Sequence, residues 1–339
     1  MPYGELKIFA GSASKQLAQE VVDFLDSKLG QMDIIRFSDG EVDVNIKESV
    51  RGKNIFIIQS TCPPANENIM ELLIVIDAMH RNDARKVYVV TPYYGYSRKE
   101  RKTKPRDPIS GKMVADILTT VGAEQMLFFD LHTTALEGFF NIPTTHLGTT
   151  QILANAFIHY KENIGKVKPY LKDIPFKKIS EERRFKVGEE TVVVAPDVGG
   201  ARRARDVARY LGRAHFAIIE KRRPTNDSTE VLNIIGDVNG LEAIIIDDMI
   251  STGGTMIPLV KILRERGAKK VYGAVTHPVF VGNAVKNLQD AGFDALFVTN
   301  TIHLPEEKRW KGLHIVSVGD FLAAMIHRIH EHRSVSELF

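Results

Sequence analysis

At 339 residues, 44% hydrophobic and 26% charged, the chain has the size and composition of a globular protein with room for two ordinary domains. Forty-five basic against 42 acidic residues leave a net charge of +3, which excludes a general nucleic-acid binder and confines anion recognition to local clusters. Cys62 is the single cysteine, so an intrachain disulfide and most cysteine metal sites are excluded.

No run of the sequence approaches membrane-spanning length, and Met1 to Lys15 lacks the apolar core of a signal peptide. A cytoplasmic protein with no membrane partner is the expectation.

Apolar strands alternate with amphipathic helices along the chain, the pattern of an α/β protein with mostly parallel sheets. The spacing predicts a strand at Leu6–Ala10, a helix over Lys15–Leu29, a buried strand at Asn54–Ser60 and a helix over Asn66–Met79. A strand at Val87–Thr91 follows, then a helix over Lys112–Val121 capped by Ser110, and a strand at Gln125–Asp130. In the second half the strands are Thr191–Ala195, Phe216–Glu220, Glu242–Asp247 and Lys270–Thr276, and the helices Ala201–Leu211, Ile257–Arg266 and Ala284–Ala291. Lys161–Glu190 is rich in Lys and Glu and reads as a surface insertion or linker, its basic residues a solvated face.

The halves repeat. Asp83–Tyr88 (DARKVY) parallels Gly267–Tyr272 (GAKKVY), an offset of 184 between Val87 and Val271. Asn54–Gln59 (NIFIIQ) parallels Glu242–Asp247 (EAIIID), an offset of 188 between Phe56 and Ile244. Similar offsets on the same kind of strand predict a tandem duplication, with domains at 1–150 and 151–339.

Several clusters carry chemistry. Arg36–Glu41 (RFSDGE) combines an aromatic platform with carboxylates that accept from an exocyclic amine, although Ser-Asp-Gly equally reads as an ordinary turn. Tyr96–Arg106 is strongly basic and follows a strand end, which suits a polyphosphate or a solvated basic loop. Asp130 and His132, two residues apart at a strand end, suit a divalent ion or a phosphate, and Asp197 stands at the next comparable strand end. Lys221, Arg222 and Arg223 follow a strand directly, a repulsive cluster that anions would offset.

The most specific stretch is Ala243–Thr255 (AIIIDDMISTGGT). A buried strand, two adjacent carboxylates, a Thr-Gly-Gly-Thr turn and a helix start together form an anion site with hydroxyl acceptors beside it. Ribose carrying a 5-phosphate fits both halves. Gln59-Ser60 stands where the first repeat would carry the acid pair, so the cradle belongs to the second repeat only.

In this order, over nearly the whole chain, these residues resemble the ribose-phosphate pyrophosphokinase (phosphoribosyl pyrophosphate synthetase) family, specifically its phosphate-activated class. The likeness is carried by Arg36–Glu41, Val50–Thr61, Asp130–His132, Gly138–Phe140, Ala195–Gly200, Lys221–Pro224, Ile235–Val238, Asp247–Thr255 and Ser334–Ser336. It implies two tandem phosphoribosyltransferase-type domains, with the last segment packing back on the N-terminal one. The implied reaction passes the β,γ-pyrophosphoryl group of Mg-ATP to ribose 5-phosphate, feeding nucleotide biosynthesis. The resemblance gives Phe37, Asp39, Glu41, Arg98, Lys99 and His132 to ATP, the first three reaching a neighbouring subunit's site in a homo-oligomer, a hexamer in the family. It gives His132, Asp197 and Asp130 to Mg²⁺, Lys221 and Arg223 to catalysis, and Asp247, Asp248, Ser251, Thr252, Gly253, Gly254 and Thr255 to ribose 5-phosphate. An allosteric phosphate or ADP site would take Ser49, Arg51, Arg106, Ser334 and Ser336.

The sequence departs from that pattern in places. Lys99-Glu100 follows Arg98 where Gln-Asp is usual, Asn141 and Thr145 stand where aspartates are implicated in metal binding, and Ser251 replaces an aspartate in the loop. The regular Ala-x-Gln-Ile-Gln gives way to Thr133–Glu137, and Val281 replaces a serine. Lost carboxylates weaken any Mg²⁺ site that used them. A non-catalytic synthetase-like subunit and a phosphoribosyltransferase are the alternatives to an active synthetase. Survival of the acid pair, the loop and Lys221 favours activity over the first, and the tandem domains favour a synthetase over the second.

Overall fold

The computed structural model describes residues 4–163, 170–171, 179–222 and 231–336. These form two compact units, one of residues 4–148, 301–303 and 318–336, the other of the described residues within 149–300 and 304–317.

The first unit opens with β1 (Leu6–Ala10) and α1 (Lys15–Phe24), then a separate two-stranded antiparallel ribbon of β2 (Met32–Arg36) and β3 (Val42–Ile46). Next come β4 (Asn54–Ile58), α2 (Ala65–Arg81), β5 (Lys86–Thr91), α3 (Ser110–Val121), β6 (Gln125–Phe129) and β7 (Thr144–Leu147). Its five-stranded sheet has the order β1-β4-β5-β6-β7 and is parallel throughout. β4 is buried along its whole length, as the apolar run Ile55–Ile58 requires of a strand covered on both faces.

The second unit contains α4 (Thr150–Glu162), β8 (Tyr170–Leu171), α5 (Glu181–Glu189), β9 (Thr191–Ala195), α6 (Ala201–Leu211), β10 (His215–Arg222) and β11 (Val231–Ile235). It continues through β12 (Glu242–Ile250), α7 (Met256–Glu265), β13 (Lys270–Pro278), α8 (Ala284–Asp290), β14 (Ala295–Thr299) and β15 (Leu313–Val316). The eight-stranded order is β11-β10-β9-β12-β13-β14-β15-β8, and β11 is the antiparallel member. The last helix, α9 (Gly319–His330), belongs to the first unit and packs on α1.

The two sheets share a plan. β1, β4, β5, β6 and β7 follow one another in space as β9, β12, β13, β14 and β15 do. The tandem duplication expected from the repeat is therefore present, in the two-domain arrangement that the resemblance implies.

Four local expectations need correction. α1 stops at Phe24 rather than Leu29, because Asp26 takes a left-handed conformation (φ 49°) and Ser27 N–H donates back to Val22 O at 2.9 Å. That is a Schellman-type stop. Ser110 is the first residue of α3, with Ile109 at the cap position and no capping side chain.

β12 does not end at Asp247. It pairs with β13 as far as Ile250 opposite Pro278, so both acids lie within the strand. Part of the 161–190 segment is also core-forming: α5 packs on α6, with Val187 and Gly188 buried. Any β-carbon at Gly188 would collide with Leu211 O, which explains the glycine. Residues 164–169 and 172–178 of that segment lie outside the described residues.

Candidate functional site

β12 lies between β9 and β13, and the connections from β9 and from β12 lead to opposite sides of the sheet, to β10 and β13. The carboxyl ends of β9 and β12 are thus a topological switch point, where open α/β sheets leave a crevice for ligands. Both sequence features of interest meet there.

Asp248 is 5% exposed and Asp247 only partly covered. Asp247 Oδ1 accepts the Asp248 N–H at 2.8 Å. Arg203 Nη1, one turn into α6, stands 3.9 Å from Asp247 Oδ1 and 3.7 Å from Asp248 Oδ1. Burial first, then the charge of Asp248 and a hydrogen bond with it, push the Asp247 carboxyl up to about 8, against the weaker opposing pull of Arg203. Two carboxylates held this close repel one another and suit hydrogen-bond donors, which a vicinal diol supplies.

Three residues past Ile250 the chain turns at Gly253, with φ 85° and so little room that a β-carbon would lie 2.7 Å from Ile257 Cδ1. Thr252 and Gly254 are exposed, and Gly254 N–H donates to Thr252 Oγ1 at 3.4 Å. Thr255 occupies the cap position of α7 without making a capping bond. A helix start with an open turn and flanking hydroxyls is a phosphate cradle. Ser251 O accepts Val281 N–H at 3.0 Å, and Ile250 O accepts Val279 and Phe280 N–H at 2.9 and 3.1 Å. Lys308 Nζ donates to Phe280 O at 3.0 Å, bracing that backbone in turn. Across the crevice at the end of β9, Asp197 Oδ1 accepts Gly200 N–H at 2.9 Å, and Asp197 to Gly199 are exposed.

Lys221 is placed only by its backbone, in β10 opposite Leu232 of β11. Arg223 lies outside the described residues.

In the first unit, Phe37, Asp39 and Glu41 sit at the tip of the β2–β3 ribbon. Phe37 N–H donates to Glu41 O at 2.9 Å, Glu41 N–H donates to Asp39 Oδ1 at 3.1 Å, and the Phe37 ring is half exposed. Arg98 and Lys99 are exposed on the turn after β5. Asp107 accepts from Thr103 Oγ1 at 2.7 Å and Lys104 N–H at 3.0 Å, which folds the basic loop back. The Thr103 bond leads the effects holding the Asp107 carboxyl below its ordinary value.

At the end of β6, Asp130 is largely buried with φ 28°, and His132 is exposed two residues on. His146 orients this turn: its Nε2 accepts Leu131 N–H at 3.1 Å while Nδ1 faces Glu137 Oε1 at 3.3 Å. Thr145 is occupied by Gln125 Nε2 at 3.1 Å, and Asn141 is exposed. Among the described residues no three His, Cys, Asp or Glu side chains converge as a ready-made metal cage.

Of the residues assigned to a regulatory phosphate, Ser334 and Ser336 meet through their hydroxyls at 2.7 Å, and Arg328 Nη1 donates to Ser334 O at 2.7 Å. Arg51 instead pairs with Asp83 at 2.8 Å, and Ser49 and Arg106 are exposed. Arg203, His146 and Lys308 escaped sequence reading. Arg203 was traceable as a cation at the start of the helix that follows β9; nothing local in the sequence marks the other two.

Duplicated parallel sheets with an Asp-Asp pair and a Thr-Gly-Gly-Thr turn at one switch point define a phosphoribosyltransferase-type protein. A family model for the N-terminal domain of ribose phosphate pyrophosphokinase matches residues 6–122, and one for the phosphoribosyl synthetase-associated domain matches residues 219–339. The chain is 42% identical to ribose-phosphate pyrophosphokinase 1 of Streptococcus pyogenes, over 100% of this chain and 99% of that one. Ribose-phosphate pyrophosphokinase 2 of Enterococcus faecalis is 42% identical over 98% of this chain and 96% of its own length. The crystal structure of phosphoribosylpyrophosphate synthetase from Mycobacterium smegmatis superposes with a TM-score of 0.85 at 36% identity, covering 97% of this chain and 99% of that one. The chain belongs to the ribose-phosphate pyrophosphokinase family.

Proposed function

We propose that this chain is a ribose-phosphate diphosphokinase, converting ATP and ribose 5-phosphate to 5-phospho-α-ribose 1-diphosphate and AMP. The observation that carries the reading is the Asp247–Asp248 pair, with Asp248 buried, joined to the Thr252–Thr255 turn at the β9/β12 switch point. In this reading the acids accept from the ribose hydroxyls, and Ser251 to Thr255 bind the 5-phosphate through backbone N–H groups and hydroxyls. That aims the anomeric hydroxyl into the crevice. Phe37, Asp39 and Glu41 hold adenine, with Arg98, Lys99 and His132 along the nucleotide. Lys221 and Arg223 offset the charge that develops on the transferred pyrophosphoryl group. In-line transfer of this kind rests on positioning and cationic neutralisation, so no covalent nucleophile is required.

The donor set also fits Mg²⁺. Such an ion takes one or two carboxylates and completes its shell with substrate phosphates and water, so Asp130 with His132 at one strand end, and Asp197 at another, would each serve without a preformed cage. When bound, it neutralises phosphate charge. Occupation of Thr145 and exposure of Asn141 support a metal site that leans on the phosphates rather than on that segment.

We further read the protein as a cytoplasmic homo-oligomer, a hexamer by family, in which the ribbon tip serves a neighbouring subunit. Ser49, Arg51, Arg106, Ser334 and Ser336 would bind regulatory phosphate or ADP. No helix among the described residues is long and apolar enough to cross a membrane.

The test is direct: incubate with Mg-ATP and ribose 5-phosphate and follow AMP. Absence of AMP with and without added phosphate refutes the reading, and consumption of the diphosphate product with a free base would show a transferase instead.

A further inference from the structure

The first unit has filled its counterpart of the ribose cradle with its own side chains. Gln59 follows β4 where the second unit has Asp247, and it is fully buried. Its Oε1 accepts Ala13 N–H at 3.0 Å, and its Nε2 donates to Glu71 Oε1 at 2.9 Å. Glu71, on α2, has no exposed surface. It also accepts Ser12 N–H at 2.7 Å, Ser12 Oγ–H at 2.6 Å and Arg36 Nη2 at 2.8 Å. A carboxylate without solvent must be paired and fully hydrogen-bonded, and this one is.

Arg36 is the last residue of β2. Strand alternation puts Met32, Ile34 and Arg36 on one face of the ribbon, and Met32, Val44 and Ile46 pack on the first unit's core. Ile35 and Phe37 turn the other way, 41% and 49% exposed. A two-stranded ribbon is marginal by itself, so its outer end depends on side-chain ties. Among the described residues the last such tie before the tip is Arg36, held by Glu71 and standing 3.5 Å from Glu67 Oε2.

We propose that Glu71 is the positioning residue of the ATP site: acting through Arg36, it fixes the direction in which the ribbon presents Phe37, Asp39 and Glu41 to adenine. The proposal rests on the reading of that tip as adenine-binding. A bidentate-capable cation on a buried, fully bonded carboxylate makes a directional anchor, which a lysine or an exposed acid would not. Glu71 touches no substrate in this scheme, so its effect falls on nucleotide affinity rather than on the transfer step.

The test compares Glu71→Gln, Arg36→Ala and the double variant with Phe37→Ala in the full-length protein. Glu71→Gln and Arg36→Ala should each raise KM for ATP about tenfold, the loss of one charge-assisted hydrogen bond, while KM for ribose 5-phosphate and kcat at saturating ATP stay within about twofold. The double variant should match the single ones, and hydrogen exchange should quicken in residues 32–46 alone. Should Glu71→Gln not fold, Arg36→Ala, altered at a partly exposed site, carries the same readouts. The proposal is overturned if Arg36→Ala leaves KM for ATP and ribbon exchange at wild-type values, or if kcat and both KM values fall and rise together. If the ribbon loosens but even Phe37→Ala leaves KM for ATP unmoved, it is the adenine assignment that fails, and the positioning role falls with it.

Discussion

Replacing Asp247 with asparagine removes a charge from a place where burial and Asp248 both oppose it. The folded-state pKa of about 8 lies above the ordinary 3.8, so protonation favours the folded chain. Stability from this group is fully present below about pH 4, declines as pH rises, and is lost above about pH 8. At pH 7 the difference corresponds to about 4 kcal/mol if taken whole. Solvent relaxation around the pair offsets part of that, so about 1–3 kcal/mol should be recovered by Asp247→Asn, which keeps an acceptor for the Asp248 N–H. For a unit of this size that is a rise in Tm of about 3–10 °C at pH 8. The rise should shrink steadily towards pH 5. Activity should move the other way, with kcat/KM for ribose 5-phosphate down about 10- to 100-fold, because a charged acceptor for a ribose hydroxyl is gone. Calorimetry from pH 5 to 8.5, beside an AMP-release assay, checks both halves. A Tm that falls, or a difference that does not grow with pH, would refute the argument.

Gly253→Ala forces a side chain onto a left-handed turn and against Ile257 Cδ1, so KM for ribose 5-phosphate should rise at least about tenfold while KM for ATP is unchanged. Equal shifts in the two constants would count against the phosphate-cradle assignment. Arg203→Ala removes a cation from beside the acid pair and should lower stability by about 1–2 kcal/mol, more at pH 8 than at pH 6; a pH-independent loss in thermal denaturation would show that the pair does not feel Arg203. Lys221→Ala should cut kcat by about 10²- to 10³-fold with an unchanged melting curve, the scale for losing one group that stabilises developing charge. A rate near that of the wild type would remove Lys221 from the mechanism.

The sheet strands were legible because a buried parallel strand must be an unbroken apolar run, as in Ala243–Ile246 and Asn54–Ile58. The acid pair and glycine turn were legible because anion chemistry needs those residue types at consecutive positions. In sequence the segment around Arg36–Glu41 reads equally as a base-binding cluster and as an ordinary turn, and the strands β2 and β3 are not marked, since the ribbon's ordered state depends on α2 and on Glu71, remote in sequence. α5 was hidden by composition: Glu181–Glu189 is strongly charged, and what fixes it is a close approach at Gly188 together with Arg183 and Arg184, which bond to Glu162 and to Tyr210 O. The extension of β12 through Asp247 and Asp248 reflects pairing with β13, which overrides the local signal that two acids end a strand. Arg203, His146 and Lys308 act through partners brought in by topology, and spacing alone cannot announce such contacts.

The duplication explains why only one cradle survives. In the second unit the ribbon that follows α6 stays attached, with β10 bonded to β9, and this puts a strand on each side of the β9/β12 boundary. A crevice with outward-facing strand ends results. In the first unit the ribbon that follows α1 is detached and β1 is the sheet edge, so among the described residues no switch point stands beside β4. Gln59 and Glu71 are then free to close the strand end, and the released ribbon can carry its tip away from its own sheet. The same element, a two-stranded ribbon after the helix that follows β1 in one copy and β9 in the other, bears Phe37, Asp39 and Glu41 in the first and Lys221 in the second. In the proposed mechanism these are the two grips on ATP, on its base and on its transferred phosphates. On that mechanism one shared sheet plan supplies both, by attaching its ribbon in one copy and detaching it in the other.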